Sequence, residues 1–258
     1  MNEGTGLRGR ATFIYICCSR EARVGNTLTA RLLLDYFLSS RDRAIGFETD
    51  IIHPALSRLF PELCSAADLS AARGQSILFD RLIVADGVTK VVDLWHAHLD
   101  LFLRLISDFD FHAEVVQNRV QPILLLHKDD RERFREGYLT LRKALPTAHI
   151  VMVHNRGVLA HEVAGPRTNA FSEIVINSLS KELRFALEAT RWLGFRLIVR
   201  TPASTITPLE VLARSELRPI HTQLEQLRLK LDLVHAGVGP SPDKSRPART
   251  RPRGPGER

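Results

Sequence analysis

One short stretch carries the residues best suited to chemistry. Ser19-Arg20-Glu21-Ala22-Arg23-Val24-Gly25-Asn26-Thr27 follows an apolar β-branched run, Thr12–Cys18, and opens a helical pattern over Asn26–Ser40. Backbone N–H groups at a helix N-terminus, with the helix dipole behind them, attract phosphate without help from any side chain. Gly25 permits close backbone approach, and the Thr27 hydroxyl is a type of ligand that Mg²⁺ accepts. Arg20 and Arg23 flank the stretch with positive charge, whereas Glu21 opposes a polyphosphate. Taken alone, the same residues also make an ordinary strand-to-helix loop. Acids follow at later strand ends: Glu48 and Asp50 in Phe47-Glu48-Thr49-Asp50, and Asp93 closing Lys90-Val91-Val92-Asp93. Asn155 stands at the end of His149–His154, and an amide offers both the donor and the acceptor that a purine edge requires. Glu48 and Asp50 also read as two surface acids at a strand end. Asn155, with Gly157 close behind it, reads equally as turn chemistry.

The elements that must position these residues alternate. Strand signals at Thr12–Cys18, Arg43–Glu48, Thr89–Leu94, Pro122–His127 and His149–His154 are interleaved with helical patterns at Asn26–Ser40, Pro54–Phe60, Gln75–Ala85, Leu99–Ser107 and Asp130–Ala144. Such a rhythm predicts parallel strands joined by crossover helices, an α/β fold with a three-layer, doubly wound, mostly parallel sheet. Strands apolar throughout suit a sheet buried on both faces. Phe171–Ile176 is a candidate sixth strand. Thr207–His235 reads as a long helix interrupted at Pro219, with leucines suited to packing on the domain or to docking a partner protein.

With the order of these features in view, the chain resembles the ParA/MinD family of P-loop ATPases. Val24-Gly25-Asn26-Thr27 aligns with a deviant, here degenerate, Walker A loop in which the phosphate-contacting lysine falls on Asn26 and the signature lysine on Glu21. The resemblance implies ATP and Mg²⁺ as cofactors, with Arg23, Gly25, Asn26 and Thr27 around the phosphates and Asn155 at the adenine edge. It implies metal contacts from Thr27, from Glu48 through water and from Asp93, and a water-positioning catalytic role for Asp50. Trp95 and His96 depart from the family, which has a small residue close behind the aspartate. Without a lysine at position 26 the site lacks the positive charge that dominates phosphoryl transfer, so slow or absent hydrolysis is expected. The family further implies a homodimer that partitions or positions a plasmid, chromosome or division apparatus. A pseudo-ATPase interaction scaffold is the alternative.

Composition bounds the rest. At 258 residues, 44% hydrophobic and 25% charged, the chain can bury one substantial core, expected over residues 11–236 after a flexible start at 1–10. More than half of the net charge of +7 sits in 240–258, where six lysines and arginines face two acids. Residues 237–258 are therefore expected to form a disordered basic tail, with non-specific nucleic acid as one candidate partner. Three cysteines, two of them adjacent at Cys17–Cys18, point away from disulfides and toward a cytoplasmic setting. No apolar run is long enough for a transmembrane segment. The ten histidines include no His-Glu-x-x-His, the cysteines no Cys-x-x-Cys, and there is no Gly-x-Ser-x-Gly elbow.

Overall fold

The computed structural model describes residues 11–128, 131–158, 170–189, 194–199 and 207–237. The expectations for 1–10 and for nearly all of the basic tail lie outside these residues.

The chain runs β1 (Thr12–Cys18), α1 (Asn26–Ser39), β2 (Ala44–Glu48), α2 (Leu56–Leu59), β3 (Cys64–Ala66), α3 (Ala72–Leu82) and β4 (Thr89–Asp93). A single 3-10 turn at His96–His98 leads into α4 (Leu99–Asp108), α5 (Phe111–Gln117), β5 (Val120–His127), α6 (Arg131–Ala144), β6 (His149–Asn155) and β7 (Ser172–Ile176). Helices α7 (Lys181–Ala189), α8 (Arg196–Val199) and α9 (Pro208–His235) complete it. Among the described residues seven strands form one sheet in the order β3-β2-β4-β1-β5-β6-β7, and every neighbouring pair is parallel. Parallel strands need crossover helices, and these cover both faces, giving the three-layer doubly wound architecture.

The layers follow from the period of two along each strand. On β1, Tyr15 and Cys17 enter one core with Leu33 and Phe37 of α1 and Leu224 and Leu227 of α9. Ile14, Ile16 and Cys18 enter the other, with Leu78 of α3, Phe102 of α4 and Phe134 of α6. Adjacent Cys17 and Cys18 thus lie on opposite faces, and both, like Cys64, are free and buried. Since β4 and β5 flank β1, the chain leaves β1 toward one edge of the sheet and later returns to fill the other. Crevices at such a reversal, outside the carboxyl ends of the strands, are where ligands gather in this architecture.

Several expectations shift. The strand ending at Asp93 is the fourth, because β3 intervenes. Its edge pairing is drawn in by Gly46, whose N–H donates to the Leu63 carbonyl (2.8 Å). Cys64 also packs so closely there that a Cβ on residue 46 would lie 2.4 Å from its sulfur. Helix α3 begins and ends three residues earlier than the Gln75–Ala85 expectation. Asp68 organises the preceding turn by accepting from Ser70 N (2.9 Å), and the Val84 carbonyl accepts from Lys90 instead of from the helix. Pro219 does not interrupt α9. A proline inside a helix costs about 3 kcal/mol, but Pro219 is exposed, so the Ser215 carbonyl it deprives of a donor is on the solvent side. Leu217, Ile220, Leu224, Leu227 and Leu231 are buried on the other side, each worth about 1.5–3 kcal/mol. That packing takes up Leu217, Leu224, Leu227 and Leu231 of the leucine stripe, while Val211, Leu229 and Leu233 of the same helix stay exposed. No described helix is long and apolar enough to cross a membrane.

Candidate functional site

Gly25 is the N-cap of α1, with φ 108° and ψ 23°, and no side chain caps the helix. The first intrahelical bond is Thr29 N to Gly25 O at 3.0 Å, so the N–H groups of the turn before it have no helical acceptor. Arg23 also adopts positive φ, 62°. Positive φ at Arg23 and Gly25 turns the backbone sharply ahead of α1, and successive N–H groups in turns of this kind are a common setting for an anion.

The loop is held from below. Asn155, 3% exposed, donates to the Val24 carbonyl (3.1 Å) and accepts from Gly157 N (3.1 Å). Both ends of the amide expected at a purine edge are therefore bonded to backbone. Residue 25 has to be glycine for this contact as well as for its φ, because a Cβ there would lie 2.3 Å from Asn155 Nδ2. His127, at the end of β5, is buried against the same loop, and burial pushes its imidazole down to about 4, so it is neutral.

Asn26 is fixed too. Its Nδ2 donates to Ser19 Oγ (3.0 Å) and to the Leu94 carbonyl (3.1 Å), tying the loop to the end of β4. Rotating the amide would set its oxygen against the Leu94 carbonyl, so the orientation follows from the acceptor it meets. Neither side-chain donor is left for a phosphate.

The loop and the strand ends enclose one cleft of about 630 Å³ that brings together Arg23, Gly25, Asn26, Thr27, Glu48, Asp50 and Asp93, the phosphate, metal and water residues of the sequence reading. Asp93 receives a hydrogen bond from Thr27. Burial pushes the Asp93 carboxyl up to about 7, with the Thr27 bond acting against the rise and the negative charges of Glu48 and Asp50 adding to it. Thr27 and Asp93 are an oxygen pair suited to a Mg²⁺ that keeps several waters.

Glu48 lines the cleft with both oxygens engaged. Oε1 accepts from Ala55 N (2.6 Å) and Leu56 N (3.0 Å), and Oε2 from Ser57 N (2.9 Å) and Ser57 Oγ (2.6 Å). It anchors the N-terminus of α2, and the metal role expected of it meets a carboxylate that is already satisfied. Asp50 Oδ1 accepts from Ile52 N (3.1 Å) and His53 N (3.0 Å), and Oδ2 lies 3.8 Å from His53 Nδ1. Arg20 turns away toward Asp100 (3.5 Å) and Glu136 (3.7 Å), so it does not stand in for a lysine. Glu21 pairs with Arg133.

His53 on the cleft wall escaped the sequence reading; its one cue was its place three residues after Asp50. Trp95 and His96, noted there as departures, line the wall beside it. The Trp95 ring stands edge-on to His98 (4.8 Å between centroids), and the Trp95 backbone N–H donates to Thr49 Oγ1 (2.8 Å). A cavity of about 130 Å³ adjoins the loop on the other side, among Gly25, Leu28, Asn155, Gly157, Asn177 and Arg184. Among the described residues no group of three or more histidines, cysteines or acids is placed to hold a metal by itself.

No family model and no curated protein matches the chain. Among solved structures, the fold is similar to a nucleotide-binding protein of Archaeoglobus fulgidus in complex with ADP. Identity is 12% and TM-score 0.46, over 71% of this chain and 88% of that one. So slight a likeness carries no argument about what this cleft holds.

Proposed function

We infer that the cleft binds an adenine nucleotide, with phosphate on the amides of the Gly25–Thr27 turn and with little or no turnover of ATP. The observation that carries this reading is the uncapped N-terminus of α1, shaped by positive φ at Arg23 and Gly25 and opening into the cleft that Asp50 and Asp93 share. Arg23 supplies positive charge at its rim. Thr27 and Asp93 would hold Mg²⁺, which supplies charge neutralisation for the phosphates when bound. The base would lie toward the smaller cavity by Gly157 and Arg184. Weak turnover follows from Asn26, whose amide is committed to Ser19 and Leu94 where an ammonium is needed. Asp50 would orient a water.

By resemblance, the role is that of a ParA/MinD-like protein acting as a homodimer in partitioning or positioning. Ile51 and Ile52, 45% and 67% exposed beside Asp50, support an interface on this face. The pseudo-ATPase reading is favoured by the same Asn26 bridge.

Titration of fluorescent adenine nucleotides with and without Mg²⁺, followed by a phosphate-release assay, tests the proposal. Saturable binding is expected, with hydrolysis raised by Asn26→Lys. No binding at millimolar nucleotide refutes it.

A further inference from the structure

Resting on the nucleotide reading of this cleft, we propose that it prefers a nucleoside diphosphate to a triphosphate and that Asn26 sets the preference. The attraction of a helix N-terminus falls off within its first turn. A phosphate seated on the Gly25–Thr27 amides lies inside that range. One further out depends on whatever charges stand on the wall.

Those charges are mostly negative. Glu21, Glu48 and Asp50 line the cleft, and Asp93 adds to them once it gives up its proton to a divalent cation or to rising pH. Arg23 is the one arginine or lysine among the described residues that line it. Of two arginines near the loop, Arg20 turns to Asp100 and Glu136, and Arg133 is paired with Glu21, itself on the cleft wall, so that pair adds no net positive charge. A terminal third phosphate brings extra negative charge against this wall. A divalent cation on Thr27 and Asp93 offsets part of it, and equally serves a diphosphate.

Asn26 decides the corner where loop and β4 meet. A lysine there would deliver an ammonium to the outer phosphate, a charge-assisted contact roughly twice as strong as a neutral one. The amide instead gives both donors to Ser19 Oγ and Leu94 O. Its own oxygen is buried without a hydrogen-bond partner, an acceptor that adds nothing for an anion. The bridge also holds the loop to the strand end with no ligand present, so the cleft needs no third phosphate to join the two.

The test is competitive displacement of N-methylanthraniloyl-ADP from the full chain by ADP and by ATP, in saturating Mg²⁺. ADP should bind about tenfold more tightly than ATP, the scale of one added negative charge a few ångströms from a carboxylate at a dielectric between that of water and that of the protein surface. In Asn26→Lys the ratio should fall to one or invert. In Asp50→Asn, which keeps an oxygen to accept from Ile52 and His53, the gap should narrow severalfold. ATP binding as tightly as ADP in the parent overturns the preference and leaves the nucleotide reading standing. If neither probe nor competitor binds, both fall. A folded Asn26→Lys with an unchanged ratio overturns the part given to Asn26. Should that variant fail to fold, an unchanged ratio in Asp50→Asn overturns the electrostatic argument.

Discussion

Gly25 and Asn155 are 130 positions apart in sequence yet share one contact, and Gly25→Ala measures what that contact is worth. Alanine at φ 108° carries left-handed strain of about 1–2 kcal/mol. Its Cβ would also lie 2.3 Å from Asn155 Nδ2, which forces the amide out. Losing the bonds to Val24 O and Gly157 N (3.1 Å each) and leaving buried partners unsatisfied costs about another 1–3 kcal/mol. The sum, about 2–5 kcal/mol, is a large share of a typical domain's stability. For a chain of this size it corresponds to a melting temperature lower by about 10 °C.

A double-mutant cycle separates the two parts. Asn155→Ala alone loses the hydrogen bonds, and adding Gly25→Ala on that background then costs only the backbone strain. A coupling of about 1–3 kcal/mol is therefore expected from urea denaturation of the four proteins. Additive effects within about 0.5 kcal/mol, or a Gly25→Ala protein as stable as the parent, would refute the claim that Asn155 supports the loop through this contact.

Two further substitutions probe the site and its scaffold. Burial lifts Asp93 to about 7 from about 3.9 in an unfolded chain, so across that window the folded protein holds a proton the unfolded one has released. Stability from this group is complete below pH ~4 and is lost as pH rises through ~7, by up to about 4 kcal/mol. Asp93→Asn should remove this share of the pH dependence, read as the difference between parent and variant curves measured by denaturation without divalent cations. Asp35, raised to about 6, acts in the same direction, and His127 and His149, each pushed down to about 4 by burial, act against it. All three are common to both proteins, so curves with the same pH dependence contradict the burial argument. Pro219→Ala should stabilise the protein by about 2 kcal/mol, the helix penalty of proline less the unfolded-chain entropy it removes. An unchanged or lower melting temperature would show that the helix at Pro219 carries no such penalty.

Sequence legibility tracked the range of the interactions involved. Strands β1, β2, β4, β5 and β6 announced themselves because each is a largely apolar run buried on both faces, whereas β7, with Glu173 exposed and only Ile174 and Ile176 buried, gave the weaker signal of a candidate. Strand β3, Cys64-Ser65-Ala66, carries no such signal and exists through its pairing with Gly46, Phe47 and Glu48. Helices α5, α7 and α8 are short, the first running seven residues with Phe111 and Val115 as its buried positions, too few to reveal a period. The phosphate, metal and water residues of the candidate site were found because an α/β sheet delivers the ends of its strands to one edge. What those residues do there was hidden. Asn26 bonds to Leu94, Asn155 to Val24, and Glu48 to the backbone of α2. None of these pairings leaves a trace in local spacing.

These hidden bonds bear on how the cleft can behave. In a nucleotide switch, the outer phosphate supplies contacts that hold mobile loops, and their loss on hydrolysis releases them. Here the joints between loop and strand ends are made by the protein itself. Asn26 joins the loop to β4, Thr49 joins β2 to β4 through Asp93 O and Trp95 N, and Asn155 pins Val24 to β6. A ligand that adds nothing to these joints has no differential affinity for an open or a closed form, and so cannot shift one to the other. If the cleft is a switch at all, its moving part must be the segment those bonds leave out, Ile51–His53, which Asp50 holds through the N–H groups of Ile52 and His53. Amide exchange at Ile52 and His53, with and without bound nucleotide, should then respond more than exchange at Thr49 or Trp95. Equal protection changes across all four would mean that the joints themselves open.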